Sequence, residues 1–241
     1  MIDAVSEKLT SARRLAVLTG AGVSAESGVP TFRDAQSGLW AQFDAMQLAS
    51  REGFVADPPL VWRWYAWRRA RVAGAQPNAG HLALARAAAR FAQFDLITQN
   101  VDGLHARAGS RNVLELHGNL LRTKCFAECG AFFADSQALP PGEPPRCPRC
   151  GSWLRPDVVW FGELLDPDVL DAAQQAAVEC DLLLVVGTSG LVHPAAGLPA
   201  ATKRAGAAVV VVNPNESELD ERADHLIRGP AAEVLPLLFP E

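Results

Sequence analysis

Leu15-Ala16-Val17-Leu18-Thr19 leads directly into Gly20-Ala21-Gly22-Val23-Ser24-Ala25. A short apolar run suits a strand buried on both faces, and G-x-G-x-x-A at its end is a form of the dinucleotide fingerprint. The first glycine allows the tight turn, and the second lets backbone N–H groups approach a pyrophosphate at a helix start. A strand-to-helix turn without any ligand would use the same residues. The next residues depart from a dehydrogenase, which would have a long helix, a second strand and an acidic residue about 20 positions on. The chain instead reads Glu26-Ser27-Gly28-Val29-Pro30-Thr31-Phe32-Arg33-Asp34. Gly28 and Pro30 stop the helix early, while Phe32 and Arg33 bring a ring and a guanidinium near the phosphates, on a loop able to close over a cofactor.

Further short apolar runs recur outward from this turn: Phe94–Thr98, Val113–Leu116, Leu182–Val186, Ala207–Val212 and the weaker His225–Ile227. Near-continuous runs such as LLLVV and VVVV fit a parallel sheet covered on both faces. Alanine-rich helical stretches lie between several of them, one opening with Asp166 as N-cap and Pro167 as first helical residue. The expected fold is therefore α/β, a doubly wound, Rossmann-like parallel sheet. Two segments break the alternation: a Trp/Arg-rich helix over Pro58–Ala73, and a stretch holding paired cysteines and several prolines. They read as insertions that build a smaller domain.

Across the 241 residues, 22 basic stand against 27 acidic, a net charge of −5, which argues against a broad nucleic-acid-binding face. Arg68, Arg69 and Arg71 form the densest basic cluster and read most simply as a solvated helix face. The N-terminus lacks an apolar core of the signal-peptide kind, and no apolar run approaches the length of a membrane span. A cytoplasmic protein with no membrane partner is expected. Four of the five cysteines pair as Cys125-x3-Cys129 and Cys147-x2-Cys150. Four thiolates so spaced make a tetrahedral structural zinc site, one per chain; a redox pair is the alternative. Cys180, ahead of a buried strand, reads as an inert core thiol. The expected division is a Rossmann-like domain of residues 1–35, 80–118 and 158–241, and a small domain of 36–79 (helical) and 119–157 (zinc).

GAGVSAESGVPTFR, residues 20–33, resembles the signature of the sirtuins, the NAD-dependent protein lysine deacylases. The other motifs of that family come in order along the chain. They are Thr98-Gln99-Asn100-Val101-Asp102, Leu116-His117-Gly118, the cysteine pairs, Val159-Trp160-Phe161-Gly162-Glu163, Gly187-Thr188-Ser189 and Asn213-Pro214-Asn215. The resemblance covers nearly the whole chain and implies a Rossmann domain with a small zinc domain. It also implies a reaction that cleaves the nicotinamide–ribose bond of NAD and moves an acyl group from lysine to the ADP-ribose, releasing nicotinamide and O-acyl-ADP-ribose.

The same resemblance implies roles for single residues. Gln99, Asn100, Val101 and Asp102 would line the nicotinamide and ribose pocket, with Asn100 and Asp102 counted as catalytic. His117 would be the general base that takes a proton from a ribose hydroxyl, a task suited to an imidazole titrating near neutrality; His81 and His105 read as structural. Gly20, Ala21, Gly22, Ser24, Ala25, Thr31, Phe32 and Arg33 would hold the cofactor from one side. Gly187, Thr188, Ser189, Asn213, Pro214 and Asn215 would hold it from the other, with Ala231 closing over the adenine. Val158, Val159, Trp160 and Phe161 would pair backbone to backbone with an acyl-lysine protein or peptide. Tyr65 and Arg68, three apart on one helix, with the small Ala49, resemble the subgroup that removes succinyl and malonyl groups. Taken singly, each has a plainer reading as a strand-end cap, a buried strand or helix decoration. An ADP-ribosyltransferase on the same scaffold, or a catalytically silent NAD-sensing module, are the alternatives. A monomer is expected.

Overall fold

The computed structural model describes residues 2–29, 43–133 and 142–240. Its strands are β1 Arg14–Thr19, β2 Gln93–Thr98, β3 Leu114–Glu115, β4 Gly118–Cys125, β5 Phe132–Phe133, β6 Leu154–Val158, β7 Leu182–Val186, β8 Ala208–Val212 and β9 His225–Ile227. Six form one sheet in the order β3-β2-β1-β7-β8-β9, every pair parallel. The apolar runs are continuous because both faces are covered. Leu15 and Val17 pack on one side with the Ala79–Ala87 and Ala231–Leu238 helices. Ala16 and Leu18 pack on the other side with the Pro167–Glu179 helix and Leu198. Asp166 caps that helix, accepting from the N–H groups of Asp168 and Val169.

Strand order reverses between β1 and β7, so the crevice beyond their carboxyl ends is where an open α/β sheet takes a ligand. The glycine turn sits there. It continues as a 3₁₀ helix, Ala21–Ser27, rather than an α-helix, and Gly28 at φ +73° ends it. Gly22 is required by close approach: a Cβ there would lie 2.7 Å from the Cα of Gly187, whose own φ is +61°.

The two insertions build the smaller unit. β4 lies between β5 and β6 in an antiparallel sheet. Against it packs the Pro58–Gly74 helix, with Trp64 and Tyr65 buried beside Phe54, Leu120 and Trp160. The arginine cluster on this helix departs from a solvated face. Arg69 is buried, its guanidinium donating to the carbonyls of Leu120 and Arg122 and to the Thr123 hydroxyl. Arg71, by contrast, is exposed over the Trp67 ring.

Candidate active site

A cavity of about 360 Å³ opens between the carboxyl edge of the parallel sheet and the aromatic cluster of the smaller unit. Its floor holds Gln99, Asn100, Val101 and Asp102, just beyond β2, with Ala21 and Ser24 from the glycine turn. His117, between β3 and β4, forms one wall. Ala49, Tyr65 and Arg68 come from the helical insertion, and Val158, Val159, Trp160 and Phe161 from the end of β6 and beyond. Residues more than 130 positions apart in sequence thus share one space.

The polar groups on the floor are tied together through Ser24. Asn78 donates its backbone N–H to His81 Nδ1, so the neutral ring carries its proton on Nε2, facing Ser24 Oγ at 3.3 Å. Asn100 Nδ2 also donates to Ser24 Oγ, at 3.1 Å, and Ser24 donates to Asp102 Oδ2 at 2.7 Å. The other Asp102 oxygen accepts from the Leu104 N–H. His81 therefore does more than fill the core: it fixes the hydroxyl that bridges Asn100 and Asp102. The detectable signal was Asn78-x-x-His81 at a helix start, a reciprocal cap.

His117 Nδ1 donates to the Gln99 carbonyl at 3.0 Å. A carbonyl only accepts, so the neutral ring keeps its lone pair on Nε2. Burial lowers the His117 pKa, against the hydrogen bond to Gln99, which raises it. The basic form is therefore the resting one at neutral pH.

At the switch point, Gln99 Nε2 donates to Thr188 Oγ1 at 3.0 Å, and Asn213 Nδ2 donates to the Thr188 carbonyl at 3.0 Å. Gly20, Gly187 and Asn213 thereby meet at the carboxyl ends of β1, β7 and β8. Ser189, Pro214 and Asn215 are exposed beside them, and Ala25 lies exposed on the outer side of the 3₁₀ helix. Ala231 is buried at the start of the last helix, its carbonyl against Gly80. Thr31, Phe32 and Arg33 lie outside the described residues.

Tyr65 is buried, and Trp160 Nε1 donates to its hydroxyl oxygen at 2.9 Å. That leaves the phenol's own hydrogen available as a donor, and burial raises its pKa so that the proton stays. Arg68 stacks beside the same ring, 5.8 Å from its centroid, and 4.9 Å from that of Trp64. Glu163 and Arg155, not expected in the site from sequence, hold the Val158–Phe161 segment. Glu163 lines the cavity, and Arg155 is a buried cation bonded to it.

The Sγ atoms of Cys125, Cys129, Cys147 and Cys150 all lie within 4.8 Å of one another. Thiolates around tetrahedral zinc at about 2.3 Å stand roughly 3.8 Å apart, so these four cysteines are positioned to bind a zinc ion. Cys180 is buried far along the chain, and burial pushes its thiol up to about 11.

The Sir2 family model matches residues 20–194. This chain belongs to the Sir2 family. A Pseudomonas aeruginosa relative, NAD-dependent protein deacylase 1, is 54% identical over 98% of this chain and 97% of its own length. The NAD-dependent protein deacylase of Methylococcus capsulatus is 53% identical over 98% and 95%. Among solved structures, a Sir2 homologue in complex with NAD is 46% identical with a TM-score of 0.92, covering 98% of this chain and 92% of that one. A Sir2 bound to acetylated peptide is 32% identical with a TM-score of 0.86, covering 98% and 95%. The Sir2 fold is thus matched along almost the entire chain.

A further buried histidine of this Sir2 chain gives a stability prediction. His105 Nε2 meets Thr19 Oγ1 at 3.0 Å, and burial, with His81 as a lesser cause, pushes the His105 pKa down to about 3. The unfolded chain takes up this proton near pH 6.5 and the folded chain only near 3. The stabilisation is therefore whole above about pH 6.5 and is lost as pH falls towards 3. Thermal midpoints should drop from pH 7 to pH 4, and His105→Gln should show a smaller drop. Parallel curves for the two proteins would contradict this.

Proposed function

We propose that this chain is an NAD-dependent protein lysine deacylase acting at the cavity between its two units, with a preference that extends to acidic acyl groups. The observation that carries the reading is the meeting of Asn100, Asp102 and His117 with Ala49, Tyr65 and Arg68 around a single 360 Å³ space. Bound NAD would supply the ADP-ribose that accepts the acyl group, and nicotinamide as the leaving group. Gly20, Gly22, Thr188 and Asn213 line the switch point and are suited to its phosphates and ribose. Asn100 and Asp102, held by Ser24, would hydrogen-bond the carboxamide and ribose hydroxyls. His117 Nε2 would take the proton of a ribose hydroxyl, its ring oriented by the Gln99 carbonyl. The Val158–Phe161 backbone would pair with the substrate peptide in an extended form. The zinc site holds the fold and takes no part in the chemistry. The reading also makes the chain a cytoplasmic monomer, in keeping with cysteines arranged as metal ligands.

A succinyl or malonyl group would bring a carboxylate among apolar walls, which costs several kcal/mol unless it is paired. Arg68 offers the countercharge, Tyr65 a neutral hydrogen bond and Ala49, buried and small, the space. A hydrogen bond to a charged group is worth about 1.5–3 kcal/mol, a factor of roughly 10–150. Arg68→Met should therefore lower desuccinylation kcat/KM by roughly that factor and leave deacetylation within about twofold; Tyr65→Phe should act more weakly. Comparing kcat/KM on matched acetyl-, succinyl- and malonyl-lysine peptides tests the preference. Equal losses on all three would mean that Arg68 supports the helix or the NAD site instead.

A further inference from the structure

Arg51 opens the Arg51–Ala56 helix, directly after the cavity residue Ala49 and the cap Ser50. Its guanidinium reaches in two directions. Towards the cavity, Nη1 donates to Glu163 Oε1 at 3.4 Å. Towards the cysteines, Nη1 donates to Glu128 Oε1 at 2.9 Å, Nη2 donates to the Phe126 carbonyl at 3.3 Å, and the group lies 4.4 Å from the Phe126 ring centroid. Phe126 and Glu128 are both in the three-residue spacer of Cys125-x3-Cys129. Glu128 sits there at φ +55°.

What Arg51 grips on the cavity side matters more than the ion pair itself. Glu163 accepts the Trp160 N–H at 2.9 Å and bonds the buried Arg155 through both oxygens. Arg155 in turn donates to the Val158 carbonyl at 2.7 Å and stacks on the Trp160 ring, 3.4 Å from its centroid. Phe161 donates its N–H to the Ala49 carbonyl at 2.9 Å. The Val158–Phe161 segment is thus fixed by Glu163, Arg155 and the Ala49–Arg51 corner, and that corner is anchored on the loop between two zinc ligands.

We infer that Arg51 is a positioning residue for the acyl-lysine substrate, tying the cysteine loop to the peptide-pairing segment through Glu163. The inference rests on the proposed pairing of substrate with Val158–Phe161. Arg51 is partly exposed, 38% at its side chain, so its replacement spares the core. In Arg51→Met the KM for an acetyl-lysine peptide should rise about tenfold, with kcat and the KM for NAD within about twofold and one zinc per chain retained. Glu128→Gln should give a smaller rise, and Arg51→Lys should recover part of the loss, since lysine keeps the charge but not the fork. As a parallel measurement, a peptide N-methylated at the residues flanking the acyl-lysine tests the pairing itself and should bind the wild type poorly. If wild type discriminates against that peptide but Arg51→Met keeps a normal peptide KM, the role of Arg51 is overturned and the pairing stands. If wild type accepts both peptides equally, the pairing fails and the inference with it. A rise in the KM for NAD equal to that for peptide would also overturn it.

Discussion

His117→Ala lowers deacylation turnover by roughly 10²–10⁴, the usual contribution of a positioned acid–base group, while fold and NAD affinity persist. The geometry sets the size of the effect. Among the described residues the His117 ring is held through Nδ1, to a backbone carbonyl, so removing it breaks one hydrogen bond and no ion pair there. The neighbouring Val159 N–H bonds the His117 carbonyl, which alanine retains. The floor made by Ser24, Asn100, Asp102 and His81 does not use the His117 side chain. Nucleotide binding should thus survive the loss of the base. The pH profile gives a second check. Burial depresses the His117 pKa, so the acid limb of wild-type activity should lie below the ordinary histidine value of about 6.5. Turnover within about threefold of wild type in His117→Ala would assign the base to another group.

The second large effect is expected at the cysteines. Cys125 ends β4, and the Cys147 N–H and carbonyl close the turn that carries Cys150, so a metal there would tie β4 to the loop before β6. Cys125 and Cys147 are both buried, and among the described residues Leu154 completes their cluster, with Ala131 and Phe133 at its margin. Structural zinc contributes roughly 10–16 kcal/mol in comparable small sites, so this corner of the fold should depend on it. Cys147→Ser should lose the metal, unfold the β4–β6 sheet and abolish activity, because β4 begins beside His117 and β6 ends at Val158. Cys180→Ala should keep zinc and activity, since that thiol packs in a separate core. Metal content and circular dichroism on the purified variants decide it. A stable, active Cys147→Ser without metal would show that the sheet stands without zinc.

The parallel sheet was legible because its strands are buried on both faces, and LLLVV and VVVV leave no other comfortable place for so much apolar surface. The Trp/Arg-rich helix read over Pro58–Ala73 is found at Pro58–Gly74. The antiparallel sheet was not. β4 carries Arg122, Thr123 and Lys124, and β6 carries Arg155 and Asp157, polar residues that break any continuous apolar run. They sit in a sheet because the charges answer each other: Arg122 meets Glu115 and Asp157, and Arg155 meets Glu163. Such pairings are set by register across distant segments and leave no local period to read. The same holds for Arg69, whose partners are carbonyls of β4. Around the cavity, Gln99, Asn100, Asp102 and His117 stand in motifs that the sequence displays, and so does Glu163, but what Glu163 and His81 hold in place, and any part for Arg155 and Arg51, is seen only in their contacts.

Mass analysis of one reaction tests the central claim most directly. Incubated with NAD and an acetyl-lysine peptide, the protein should yield free nicotinamide, deacylated peptide and O-acetyl-ADP-ribose in equal amounts, with none of the three formed when NAD is left out. Deacylation that proceeds without NAD, or ADP-ribose attached to protein while the peptide keeps its acyl group, would contradict it.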